Sequence, residues 1–295
     1  MLAARLDSLA MPLPDGLRMR DATADDLPAI VELRESVGWS AHDWALRAAI
    51  APPDARCLVV VDATGRVAGV GSGISYGALG FIGNMVVAES QRHRGIGSAV
   101  LDAVIGFLEA RGCTRLELFA TPLGRPLYAS HGFELTDPSA MVSVPRQAAL
   151  DGVHEVVVEE ATDADELTAF DAPRFGGDRR ALLAMMCADA ARPVLVARAG
   201  DAIGGYLWLR PDGPRAGPFV ADEPAVAARL LRAAFDRAPR AAELTLNLPM
   251  GNEPGVRWLR DLGVELEPWD GRMGRGPQVP RRDDTIYANV VGALG

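Results

Sequence analysis

The same opening occurs twice in this sequence, at Met19-Arg20-Asp21-Ala22-Thr23-Ala24-Asp25-Asp26-Leu27 and at Val158-Glu159-Glu160-Ala161-Thr162-Asp163-Ala164-Asp165. In each copy a short strand leads to a Thr, with an acidic residue three positions later. Thr23 with Asp26, and Thr162 with Asp165, are capping-box variants that satisfy orphan backbone donors and put negative charge at a helix's positive end. The spacing therefore predicts a helix start in both halves. The likeness continues downstream. Cys57–Asp62 turns through Ala63-Thr64-Gly65-Arg66 into a strand from Val67, and Val194–Arg198 turns through Ala199-Gly200-Asp201 into Ile203–Leu209, so each half holds a hairpin. Strand, helix pair, hairpin, strand, helix, strand thus repeats at 17–145 and 153–291. Length agrees, since 295 residues suggest two domains at about 100 to 200 residues each, and 49% apolar composition can bury a core in both. We expect domains at 1–149 and 150–295. Leu135–His154, with Pro138 and Pro145, would hold the last strand of the first half and then the linker.

The halves differ where chemistry is expected. After a core strand at Phe81–Val87 the first half reads Glu89-Ser90-Gln91-Arg92-His93-Arg94-Gly95-Ile96-Gly97-Ser98, then a helix with Val100, Leu101, Val104, Ile105 and Leu108 on one face. A glycine loop between strand and helix turns several backbone N–H groups to one point, at a helix end worth about half a positive charge. Phosphate or diphosphate is the natural guest, with Arg92 and Arg94 adding local positive charge. Each charge-assisted bond there is worth about 1.5–3 kcal/mol. The second half reads Pro218-Phe219-Val220-Ala221-Asp222-Glu223-Pro224 and enters its helix with no glycine loop.

Arg92-x-x-Gly95-x-Gly97 is neither the dinucleotide G-x-G-x-x-G nor the P-loop motif, which needs a Lys that this chain lacks. Val87 lies eight residues before Gly95, and a strand at Leu116–Ala120 leads to Pro126-Leu127-Tyr128-Ala129-Ser130-His131-Gly132-Phe133. With these residues in place, the first half resembles the GNAT superfamily of acetyl-CoA-dependent N-acyltransferases. Its motif is Q/R-x-x-G-x-G/A, followed by a Tyr ahead of a Gly-Phe pair. The resemblance covers about 17–145. It departs at Thr121, where many members have Asn, and at Glu89, where many have Pro. The second half resembles a degenerate copy, with Leu244–Pro249 as its fifth strand and Asn252–Gly263 as the following helix.

The resemblance implies an α/β (α+β) fold of two tandem GNAT-like domains, each a mixed, mostly antiparallel sheet flanked by helices. It implies that Arg92, His93, Arg94, Gly95, Ile96, Gly97 and Ser98 bind the acetyl-CoA diphosphate, that Met85, Val86 and Val87 offer backbone groups to the pantetheine arm and acetyl carbonyl, and that Tyr128 is the general acid. The first half would do the chemistry, and the second would shape the acceptor site. The expected reaction is direct attack by a primary amine of a small molecule or peptide on the thioester. An alkyl amine with a pKa near 10.4 must be presented neutral at pH 7, at a cost of about 4.6 kcal/mol. Glu32, Glu89 and His131 are the candidate bases, left unranked by the sequence. Trp39 and Trp44 belong either to the acceptor pocket or to helix packing. Asp178 would meet an acceptor amine or cap a helix.

Composition narrows the partners. A net charge of −9 opposes general nucleic-acid binding. Cys57, Cys113 and Cys187 are widely spaced and outside any C-x-x-C pattern, so neither a disulfide framework nor a zinc knuckle is expected, and a reducing cytoplasm suits them. No segment reads as a secretion signal or a membrane span, and no metal is expected. The rival reading is a non-catalytic module that senses acyl-CoA or binds a protein partner. A homodimer stays open.

Overall fold

In the computed structural model, residues 13–39, 43–50, 53–150 and 157–295 are described. The chain forms two compact units, one of residues 1–134, 273–278 and 292–295, the other of 135–272 and 279–291.

In the first unit, β1 (Arg18–Asp21) leads through a single 3-10 turn into α1 (Leu27–Glu35). The Thr23 cap forms as expected. The Thr23 N–H donates to Asp26 Oδ2 at 2.8 Å, and Arg20 grips the same carboxylate at 2.6 and 2.7 Å, drawing its pKa down to about 2. Then follow α2 (Asp43–Ala49), β2 (Ala55–Val61), β3 (Val67–Tyr76), β4 (Leu79–Val87), α3 (Ile96–Ala110), β5 (Arg115–Phe119) and α4 (Arg125–Ser130). Strands β1 to β4 pair antiparallel in sequence order, and β5 joins β4 in parallel.

Helix α3 buries Ile96, Ala99, Val100, Leu101, Val104, Ile105 and Leu108 as one stripe, at about 1.5–3 kcal/mol for each large side chain. It lies on β3, and the strand makes room with Gly69, Gly71 and Gly73. A Cβ on Gly71 would stand 2.4 Å from Val100 Cγ1 and 2.5 Å from Met85 Sδ, and one on Gly73 would stand 2.9 Å from Val104 Cγ1. Gly71→Ala is accordingly expected to lower stability by about 1–3 kcal/mol through overpacking. Urea unfolding checks this, and an unchanged midpoint would show that the helix has slack. Residues 292–295 close the same sheet elsewhere. The Tyr76 hydroxyl donates to the Leu294 carbonyl at 2.8 Å, and Ala293 packs so closely on Gly83 that a Cβ there would meet its Cα at 2.5 Å.

The second unit runs β6 (Glu134–Pro145, in this unit from Leu135), α5 (Arg146–Leu150), β7 (Val158–Glu160), α6 (Ala164–Phe175), α7 (Arg180–Cys187), β8 (Val194–Ala199), β9 (Ala202–Leu209), β10 (Ala216–Ala221), α8 (Pro224–Arg237), β11 (Glu243–Pro249), α9 (Glu253–Asp261), β12 (Glu267–Arg275, in this unit as far as Arg272) and β13 (Ile286–Ala288). Its antiparallel sheet has the order β13-β10-β9-β8-β7, covered by α8 through Leu230, Leu231, Ala234 and Phe235. The observed division differs from the expected one after residue 149. Strand β6 belongs to the second unit because it pairs with β11 from Ser139 to Pro145. The cap of α6 also differs from expectation. Asp163, not Thr162, accepts the Asp165 and Glu166 N–H groups, at 2.8 and 3.2 Å. A carboxylate adds charge at the helix's positive end, which a hydroxyl cannot do. No described helix is long and apolar enough to cross a membrane. Among the described residues no three His, Cys, Asp or Glu side chains gather as a metal site.

Candidate functional site

Two local irregularities open the first unit's sheet. Pairing of β4 with β5 runs from Leu79↔Arg115 to Ile82↔Leu118 and stops there. The β3–β4 register shifts between Val70↔Val86 and Ser72↔Gly83, which leaves Asn84 and Met85 opposite Gly71 alone. Such a bulge bends the strand and re-aims its groups. Asn84 takes φ 55°, a left-handed conformation that Asn tolerates better than most residues.

A buried polar network holds the bulge. Asn84 Oδ1 accepts from the Arg34 guanidinium, Asn84 Nδ2 donates to Ser72 Oγ at 2.9 Å, and Ser72 Oγ donates to the Gly83 carbonyl at 3.1 Å. Arg34 is 4% exposed, and burial lowers its pKa. It lies 5.6 Å from the centroid of the Trp39 ring, while the Trp39 backbone N–H donates to the Arg34 carbonyl at 3.0 Å.

Where the strands part there is a cleft of about 830 Å³. One end is the turn from β4 into α3. Gly95 precedes the helix at φ 82°, a backbone that glycine adopts without steric cost. The first backbone bond of α3 is Ala99 N–H to the Gly95 carbonyl. The Ile96, Gly97 and Ser98 N–H groups therefore point out of the helix start, with no acceptor among the described residues. A Cβ on Gly97 would lie 3.3 Å from Leu127 Cδ2. Arg92 Nε donates to the Val87 carbonyl at 3.3 Å, tying the loop to the strand end, and Arg94 donates to Gln91 Oε1.

Met85, Val86, Val87, Arg92, His93, Gly95, Ile96, Gly97 and Ser98 all line the cleft; Arg94 does not. Tyr128 also lines it. Its hydroxyl has no hydrogen-bond partner among the described residues, its ring meets Phe133 at 6.3 Å between centroids, and burial pushes its pKa up to about 12. Thr121 Oγ1 accepts the Gly124 N–H at 3.2 Å and so shapes the turn ahead of Tyr128.

The remaining expected site residues divide between the cleft and other surfaces. Glu32 is exposed on α1, because Ile30, Leu33 and Arg34 take the inward face, and the structure does not bring it to the cleft. His131 is tied to Asp102 at 3.2 Å and to the Leu127 carbonyl at 2.8 Å, away from the cleft lining. Glu89 is on the rim, exposed. Trp39 lines the cleft, whereas Trp44 is half-buried on α2 and does not. Asp178, in the second unit, accepts the Arg180 N–H at 2.8 Å, the capping alternative. Sequence reasoning missed Arg34, Asn84 and Ser72. A basic residue on the apolar face of α1, and an Asn inside the run Phe-Ile-Gly-Asn-Met-Val-Val, were the available signals.

In the second unit the corresponding helix, α8, starts at Glu223-Pro224 without glycine. Asp222, just before it, is clamped by Arg174 at 2.6 to 3.0 Å and by Arg282 at 2.9 Å. The protein's own carboxylate thus takes the cations near that helix start.

Residues 19–133 match the acetyltransferase (GNAT) family, and residues 167–288 match an acetyltransferase (GNAT) domain. Holothin acyltransferase of Pseudoalteromonas sp. (strain SANK 73390) is 28% identical over 163 residues, 54% of each chain, so the match spans about half of that relative. The uncharacterized N-acetyltransferase YitH of Bacillus subtilis is 25% identical over 226 residues, 75% of this chain and 78% of that one. Among solved structures, a candidate acetyltransferase of Pyrococcus horikoshii superposes with a TM-score of 0.78 at 23% identity, over 97% of this chain and 98% of that one. A tandem GNAT protein from the clavulanic acid biosynthesis pathway gives 0.62 at 17% identity, over 89% and 99%. At these identities the structures share the fold.

Proposed function

Because the chain belongs to the GNAT acetyltransferases, with two such domains in tandem, we propose that its first unit transfers an acetyl group from acetyl-CoA to a primary amine. The observation that carries this reading is the start of α3. Three outward N–H groups, a left-handed Gly95 and the strand-anchored Arg92 stand at one end of a cleft whose wall holds the Tyr128 phenol. In this reading the loop Arg92–Ser98 takes the diphosphate, with Arg94 adding charge from outside. The Met85–Val87 backbone, which lies beyond the last β4–β5 pair, meets the pantetheine arm and the thioester carbonyl.

The amine nitrogen attacks the carbonyl carbon, and the C–S bond breaks as the tetrahedral oxyanion collapses. The sulfur then leaves with its electron pair. Tyr128 donates a hydrogen bond to it, and the surplus proton of the new amide nitrogen passes to water. A phenol near 12 cannot readily protonate a thiolate whose acid has a pKa near 8.5. Tyr128 is therefore a fixed donor, always protonated at working pH, rather than a strong proton source. The acyltransferase name of one relative and the N-acetyltransferase name of the other support the reaction class.

The direct test is thiol release from acetyl-CoA across a panel of amines, alongside calorimetric binding of acetyl-CoA. Binding with amine-dependent thiol release is expected. Binding without release for any amine would instead support a sensor of acyl-CoA.

A further inference from the structure

On the reading that this cleft acetylates amines, we infer that the acceptor is a planar aromatic or heteroaromatic amine, stacked on the cleft face of Trp39. Three observations converge. First, the indole is pre-set. Arg34 is buried, bonded to the Asn84 side chain in the bulge, and sits 5.6 Å from the ring centroid, while the Trp39 backbone N–H is bonded to the Arg34 carbonyl. A ring fixed on one side and open to a cleft on the other offers contact area at little entropic cost.

Second, the lining is wrong for a cation. Among the described residues that line the cleft, Glu89 carries the one carboxylate, and it belongs to the loop leading into α3. Val37, Met85, Phe119, Leu123 and Leu127 give the lining its apolar share. A polyamine or a lysine side chain entering here would lose hydration without gaining a counter-ion. Third, Leu123 lines the same cleft and is 68% exposed. An uncovered Leu at the mouth of a pocket favours an apolar ligand that covers it.

The chemistry agrees. An arylamine is already neutral at pH 7 and attacks without the deprotonation that an alkyl amine near 10.4 requires. Of the three candidate bases Glu32 and His131 are absent from the lining and Glu89 stands exposed in the loop leading into α3, an arrangement suited to a nucleophile that needs no deprotonation before attack. The balance is simple: the neutral nitrogen forms the C–N bond, the C–S bond breaks, and one N–H proton ends in water or on the released thiol.

The test measures kcat/KM by thiol release for 4-methylaniline and 2-aminothiazole against spermidine and Nα-acetyl-lysine amide, with the acetyl-CoA Kd measured separately. The aromatic amines are expected to be better substrates by about tenfold or more. Trp39→Ala should cut their kcat/KM by about tenfold, chiefly through KM, with the acetyl-CoA Kd held within about twofold and recovery in Trp39→Phe, since alanine removes the stacking face and phenylalanine restores one. Preference for spermidine or the lysine amide by the wild type would overturn this inference and leave the acetyltransferase reading intact. Failure of the wild type to bind acetyl-CoA would instead remove that reading. If Trp39→Ala does not fold, the wild-type panel alone decides.

Discussion

Tyr128→Phe is expected to lower turnover by about tenfold to a hundredfold while leaving the acetyl-CoA Kd within about twofold. The magnitude follows from what the phenol can supply. A hydrogen bond to a developing charge contributes about 1.5–3 kcal/mol, and each 1.4 kcal/mol is a factor of about ten in rate. The ring stays in place in the variant, because Phe keeps the edge contact with Phe133 and removes only a hydroxyl that holds no partner among the described residues. The pH profile adds a second readout. Burial raises the phenol pKa from about 10 to about 12, so the donor form persists through the usual assay range and is lost only above it. A falling limb in kcat below about pH 10 would therefore belong to another group. Wild-type turnover in the Phe variant would remove Tyr128 from the reaction.

Gly97→Asp should weaken acetyl-CoA binding by about a hundredfold or more, read by calorimetry. Two effects add. The new Cβ would sit 3.3 Å from Leu127 Cδ2, so the wall must shift by a few tenths of an ångström. The new carboxylate would occupy the first turn of α3, where the outward N–H groups and the helix dipole would serve it instead of a diphosphate. The same dipole argument predicts that thermal stability is kept within about 1 kcal/mol, since an acidic residue in a first helical turn is favourable on its own. Binding lost with the fold intact is the expected combination. Unaltered affinity would place the diphosphate away from this loop.

Much of this cleft could be read from short-range signals. The Thr23 and Asp26 pair, the glycines of the loop and the apolar stripe of α3 each act over a few residues, and each folds as read. The absence of Glu32 from the cleft lining rests on a detail that was also local. Leu27, Ile30, Leu33 and Arg34 share the inward face at helical spacing, which sends residue 32 outward. Thr162 lost its cap to a stronger acceptor one position on. The Arg34–Asn84–Ser72 network was hidden for another reason: its members are 50 and 12 residues apart, and no periodicity links them. Likewise Gly69, Gly71 and Gly73 read as a weak strand until the helix they accommodate is in place.

Residues 273–278 and 292–295 belong to the body that holds the cleft, although they come from the far end of the sequence. Met273 is buried in its core, and Leu294 accepts the Tyr76 hydroxyl. Expressing the front half alone would therefore strip this unit of its own parts, leaving a bare glycine surface and an unsatisfied phenol where those parts had been. The amine chemistry should be sought in the intact polypeptide, because a severed half that stays silent would reveal a folding defect and say nothing of catalysis.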